Sequence, residues 1–260
     1  MKLRLFSLLV ILMLCLTAPA TADEKWKEHK GQHFIIYYKD APESFINSVE
    51  SMGEHYYQEI TENLGFTRYK NWSWEDRAKI YIYQDDEDYI NHSRQARWSH
   101  GAALARAKTI RTFPTAAGFF DSTLPHELGH IIFREFVGYK SFDVPNWIEE
   151  GVAMNQEKAK RFGADKKVRQ ALDKGTFIPL SQLSKTALYS NSDKELVELF
   201  YAESASIVNF MINELGEYKF VNLCREFQDG HRFNDALHNA YFRFRNTDDL
   251  NKTWVDYLKQ

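Results

Sequence analysis

The spacing of apolar residues divides this chain near Asp121, with strand-like runs before it and helical periodicity after it. "HFIIYYKD", from His33 to Asp40, is dense in β-branched and aromatic residues and predicts a strand. Glu43 to Leu64 is polar with recurring apolar positions, and Gly65 follows it, so a helix is expected there. "AKIYIYQD" (Ala78 to Asp85) predicts a second strand, and "GAALARAKTIRTF" (Gly101 to Phe113) one long or two short strands ended by Pro114. Asp23 to Gln32 is polar and expected to be loose, and "RYKNWSWEDR" is expected to be a loop. Beyond Asp121 one helix is predicted from Ser122 or Thr123 to Val137. Those two residues are N-cap types, Pro125 lies in the first turn and Gly138 closes the end. A second helix starts near Pro145-Asn146 and carries "WIEEGVAMNQEKAKRF". A third, "ELVELFYAESASIVNFMINELG", is long and amphipathic, and "EYKFVNLCREFQDG" and "RFNDALHNAYF" follow. The pattern predicts an α+β fold. A small mixed or antiparallel sheet with helices forms an N-terminal lobe (23–120), followed by a mostly helical lobe (121–260).

Composition adds bounds. The chain has 260 residues, 44% hydrophobic and 27% charged, which suits a globular unit able to bury a core without a staple. Its formal net charge is −3 and it has no long basic run, which argues against nucleic acid as a partner. Residues 1–22 carry Lys2 and Arg4, an apolar run from Leu5 to Leu16, then Ala20-Thr21-Ala22. That is the layout of a secretory signal peptide cut after Ala22, too short in its apolar run to span a bilayer comfortably. The mature protein is therefore expected in the periplasm or extracellular medium, without stable membrane insertion. Cys15 leaves with the leader. Cys224, alone in "FVNLCREF", is expected to be a buried core residue.

The chemistry concentrates in "LPHELGHIIFREFVG", Leu124 to Gly138. Residues four apart on a helix share a face, with Cβ atoms about 5–6 Å apart, so His126 and His130 can aim ring nitrogens at one ion. Glu127, one step round, suits a general base beside a zinc-activated water. A catalytic zinc takes three protein ligands. Phe133 and Phe136 occupy the positions where a longer H-E-x-x-H-x-x-G-x-x-H motif has glycine and histidine, so the third ligand is expected to be a carboxylate. Glu149 and Glu150 on the next helix both qualify.

His126-Glu127-Leu128-Gly129-His130 followed by Trp147-Ile148-Glu149-Glu150-Gly151-Val152-Ala153 resembles the gluzincin metallopeptidases, and within them the peptidase MA-like domains. The resemblance implies a thermolysin-like zincin fold, a Zn²⁺ cofactor, and hydrolysis of peptide or protein substrates by metal-activated water with Glu127 as base. A W-[LI]-x-E-G-x-A segment supplies the third ligand in that group, and its glutamate before glycine corresponds to Glu150. Nineteen residues separate His130 from Glu150, the thermolysin-type spacing. The membrane alanyl aminopeptidase spacing, one shorter, would point to Glu149. The resemblance further implies that Glu157 orients a zinc-binding histidine and that Tyr201, in "FYAESASIV", stabilises the oxyanion. The G-x-M-E-N segment that holds a substrate amino terminus is absent; "WSHGAALARAKTIRTF" stands there. An endopeptidase is therefore expected, pairing an extended peptide with the edge of the Gly101–Phe113 sheet. His100 lies near that edge. Two other readings stay open: a zinc-bound domain that binds peptides or envelope proteins without cleaving them, and a metal-free structural protein.

Overall fold

The computed structural model describes residues 25–66, 72–95, 99–140, 143–157, 163–189 and 191–260. The segment expected to be a signal peptide, 1–22, lies outside the described residues. The fold is α+β: five strands in the N-terminal part, then helices. Strand β1 (Lys27–Lys30) pairs antiparallel with β2 (Phe34–Tyr38). Helix α1 (Glu43–Asn63) carries the chain across to β3 (Ala78–Ile82), which runs parallel to β2. Helix α2 (Asp86–Ser93) leads to the hairpin of β4 (Gly101–Leu104) and β5 (Thr109–Thr112). β5 inserts beside β3 in parallel, giving the order β1-β2-β3-β5-β4. The sheet is thus mixed, with β4 at one edge.

One face of the sheet builds the core. Phe34, Ile36, Ala78, Ile80, Ile82 and Ile110 are buried there, under Ile46, Val49, Tyr56 and Ile60 of α1. Along each strand these apolar residues recur at every second position, as the pleat requires. On the opposite face Tyr37 and Tyr81 stack across strands with centroids 4.8 Å apart, and Trp26 packs edge-on against Tyr81.

β1 corrects an expectation. Its residues are polar, yet they form a strand because an edge strand is held by its backbone ladder to β2, with little side-chain burial to mark it. The start of the motif helix differs too. Neither Ser122 nor Thr123 caps α3 (Leu124–Val137) through its side chain; a π-helical turn, Phe119–Thr123, leads into it. Its other end agrees: Gly138 takes a positive φ of 88°.

The helical part continues with α4 (Asn146–Asn155), α5 (Ala164–Lys174), the single turn α6 (Leu180–Leu183), α7 (Lys194–Asn213), α8 (Glu217–Gln228), α9 (Phe233–Ala240) and α10 (Thr247–Leu258). Sequence pattern alone left α2, α5, α6 and α10 unassigned; α2 and α5 are short or dominated by polar residues. Asp193 caps α7 by accepting from the backbone of Glu195 and Leu196. Cys224 is fully buried on α8. Among the described residues no helix is long and apolar enough to cross a membrane.

Two glycines bring α3, α4 and α7 together. A Cβ on Gly151 would lie 2.2 Å from the Ser204 carbonyl oxygen and 2.5 Å from Val208 Cγ2 of α7. A Cβ on Gly129 would lie 3.0 Å from Ala153 Cα of α4. Opposite the Gly151 contact, α7 buries Glu203. Its Oε1 accepts the Ile178 N–H at 2.9 Å, its Oε2 has no partner, and it is fully shielded from solvent. Burial pushes its pKa up to about 8.

Two stability predictions follow from this packing. Gly151→Ala forces backbone apart and should cost about 1–3 kcal/mol or more, exceeding the cost of Gly129→Ala; thermal unfolding of both variants checks the order. The raised pKa of Glu203 means that the fold favours its protonated form. That stability is complete below about pH 4.3 and is lost as pH rises towards 8, by about 1.4 kcal/mol per unit at most. Denaturant titrations across that range should show wild type losing stability relative to Glu203→Gln; parallel curves would remove Glu203 as the cause.

Candidate metal centre

Helices α3 and α4 run in opposite directions, and their facing residues pair in descending and ascending order. Arg134 meets Glu149, His130 meets Glu150, and His126 meets both Glu150 and Glu157. The stripe 126, 130, 134 is one face of α3 at a spacing of four.

His126 Nε2, His130 Nε2 and Glu150 Oε2 form a small triangle. The two nitrogens are 3.2 Å apart, and the oxygen is 3.6 Å from each. These three residues are the one cluster of His, Cys, Asp and Glu among the described residues with ligand atoms grouped tightly enough to hold a metal ion. Two donors about 2.0–2.1 Å from a tetrahedral ion stand about 3.3–3.4 Å apart, so the observed edges fit zinc-sized coordination. Glu150 Oε2 supplies a second sign of fit: it is buried and has no hydrogen-bond partner. An ionised oxygen left that way is costly unless a cation meets it.

The outward nitrogen of His126 is also held. His126 Nδ1 lies 2.9 Å from Glu157 Oε1, and a carboxylate can only accept, so Nδ1 carries a proton and Nε2 is the nitrogen that faces the triangle. The Ser122 hydroxyl, from the π-helical turn, donates to Glu157 Oε2. α4 ends at Asn155, so Glu157 reaches His126 from beyond the helix and not as a residue on its face. His130 Nδ1 is 3.7 Å from Glu149 Oε1, an ion-pair distance rather than a hydrogen bond. Arg134 Nε donates to Glu149 Oε2 at 2.8 Å, and its Nη2 donates to the same oxygen. Glu149 is therefore occupied by Arg134 on the far side of the triangle, whereas Glu150 faces into it.

The electrostatics favour positive charge at this point. Glu127, Glu149, Glu150 and Glu157 gather around two imidazoles, with Arg134 tied to Glu149. Burial opposes a charged His126, but the Glu150 and Glu157 carboxylates, then Glu127, outweigh it and push its pKa up to about 10. Burial likewise raises Glu127, against the lowering effect of the two histidines. Glu149 is held down at about 2; burial acts to raise it, and His130 and Arg134 overcome that.

A cavity of about 530 Å³ opens beside the triangle. His126, Glu127 and Glu157 form one side, and Tyr201 of α7 stands across from them with its ring 6.4 Å from that of His126. Burial, then Glu150, Glu127 and Glu157, push the Tyr201 hydroxyl pKa well up, so it keeps its proton. His100, at the start of β4, lines the same cavity. Gly101 follows it, and a Cβ there would come within 2.9 Å of Glu127 Oε1. The edge strand thus lies directly against Glu127. Sequence reasoning missed the Ser122–Glu157 bond and the Arg134–Glu149 clamp. Only the second had a visible signal, because Arg134 continues the histidine stripe by one turn.

No curated protein matches the sequence. A family model described as the Peptidase MA superfamily, however, matches residues 72–260, which take in β3 to β5, all of α3 and α4, and Tyr201. On that match over most of its length, the chain belongs to the Peptidase MA superfamily.

Proposed function

We propose that the protein is an exported zinc-dependent endopeptidase, with His126, His130 and Glu150 as metal ligands, Glu127 as general base and Tyr201 as the donor to the oxyanion. The observation that carries this reading is the triangle of two imidazole nitrogens and one buried, unpartnered carboxylate oxygen, with Glu127 beside it. Zinc bound by such a set supplies Lewis acidity, bringing a water near neutrality in pKa and polarising a carbonyl. Glu127 takes a proton from the attacking water and hands it to the leaving nitrogen. Tyr201, kept protonated, donates a hydrogen bond to the oxygen on which charge develops. Glu157 and Ser122 hold the His126 ring in its tautomer, and Arg134 holds Glu149 away.

β4 ends the sheet, and among the described residues no strand pairs with its outer edge. An extended peptide paired there would pass Gly101 and lie against Glu127. The carboxylates lining the cavity are Glu127, Glu157 and Glu198. Glu157 is held by His126 and Ser122, and Glu198 by Lys167 at 2.6 Å. Among the described lining residues, Glu157 and Glu198 are thus already engaged, which favours cleavage within chains. The leader-like residues 1–22 support export.

Metal analysis of purified protein should find one zinc per chain. It should be lost in Glu150→Ala and retained in Glu149→Ala; the reverse result would move the ligand to Glu149. Glu127→Gln should keep its metal and lose at least about a thousandfold in activity on a quenched peptide library. Retained hydrolysis in that variant removes Glu127 from the reaction. A zinc-loaded wild type that binds the library without cleaving it would instead make the domain a peptide-binding module. Tyr201→Phe should lower kcat about a hundredfold with KM little changed, since its hydrogen bond forms only as charge develops; a change in KM alone would make Tyr201 a wall of the cleft.

A further inference from the structure

Resting on that reading, we propose that Lys167 and Glu198 determine which substrate side chain the cavity accepts: as a pair they make its outer end neutral, and so select a large uncharged apolar side chain.

The cavity runs along α7. Val197, Glu198, Tyr201 and Ala202 lie at the spacings that share one helical face, and Ala164 and Lys167 of α5 face them. Lys167 Nζ donates to Glu198 Oε2 at 2.6 Å and so ties the two helices together. Glu198 stands three residues before Tyr201 on α7, about 4.5 Å of rise. Beside these groups the cavity wall is apolar: Met154, Ala164, Val197 and Ala202. Apart from His126, Glu127 and Glu157, and His100 when protonated, Lys167 and Glu198 are the charged groups among the described lining residues. A charged substrate side chain would give up water along the apolar wall and then find both potential partners already engaged. An apolar side chain loses nothing there and fills the wall.

The pair is poorly explained as a stabilising feature. The side chains are 41% and 48% exposed, and ion pairs so placed contribute little to stability. Glu198 has a second cation, Lys194, at 3.9 Å, but that residue is 88% exposed and does not line the cavity. The same exposure means that substitutions at 167 and 198 leave the fold intact, so they test recognition cleanly. Specificity here arises by denying charged side chains a partner, a difference between affinities rather than an added attraction.

The test reverses each charge and then swaps both. Peptides varied at the positions flanking the cleaved bond, with Phe or Leu, Lys or Arg, and Asp or Glu, are ranked by kcat/KM. They are also ranked by binding to zinc-loaded Glu127→Gln protein, which reads preference without hydrolysis. Wild type should prefer the apolar set. Lys167→Glu should move preference about tenfold towards Lys and Arg, and Glu198→Lys about tenfold towards Asp and Glu, the size of one well-placed charge interaction. The double swap, Lys167→Glu with Glu198→Lys, should restore the apolar preference. Rankings that stay put in all three variants while wild type cleaves peptides overturn the proposal and leave the peptidase reading standing. If nothing is cleaved, the peptidase reading fails, and the binding ranks alone decide: preferences that follow the charges uphold the pair's role, and unmoved or absent binding overturns it.

Discussion

Backbone contact at two glycines fixes the spacing on which the candidate centre depends. Gly129 stands between the two histidines and admits α4; Gly151 follows Glu150 and admits α7. At Gly151 a single methyl group would forbid the approach, and at Gly129 it would force the helices to shift. The three triangle edges of 3.2–3.6 Å are therefore set by main-chain packing rather than by long side chains reaching across a gap. A ligand geometry of this kind costs little entropy to form, because the helices are already seated when a cation arrives.

The same seating collects negative charge in a buried place. Four carboxylates around two imidazoles would oppose folding if each kept its full desolvation cost. The outer members are offset by specific donors: Arg134 for Glu149, and Ser122 with His126 for Glu157. The uncompensated atom is Glu150 Oε2, at the centre. Polar satisfaction is thus met at Glu149 and Glu157 and missing at Glu150 Oε2, where a cation would supply it; His130 Nδ1 is left with only an ion-pair contact to Glu149. A structural network of ordinary buried polar groups would not leave its gap at the convergence of two histidine nitrogens.

Much of this was legible in the sequence, for reasons that differ by element. The core strands 34–38, 78–82 and 109–112 announced themselves through alternating or dense apolar residues, and α1, α3 and α7 through helical periodicity, closed by glycine in α1 and α3. β1 was invisible because an edge strand is specified by backbone pairing, and its side chains remain wet. The pairing of His126 with His130 follows from helix geometry alone. The choice between Glu149 and Glu150 does not, because adjacent residues on a helix point about 100° apart and only the partner helix decides which faces inward. Arg134 held that information in the sequence: a cation one turn beyond His130 claims the acid nearer the start of α4. The cavity, the Gly101 approach to Glu127 and the Lys167–Glu198 pair depend on segments far apart in the chain and left no local trace.

Helix α7 connects these parts. Tyr201, Ser204 and Val208 fall at i, i+3 and i+7, one stripe, and two of the three are the atoms against which Gly151 is seated. The height of Tyr201 above the triangle is consequently fixed by the same contact that places Glu150. One turn earlier the same helix presents Glu198 to Lys167, and on its opposite side Glu203 grips the backbone at Ile178. A helix held on both sides cannot slide to suit a ligand. The distance from the triangle to Tyr201, and from Tyr201 to the Lys167–Glu198 pair, is then a property of the fold, and a ligand entering the cavity has to fit that length.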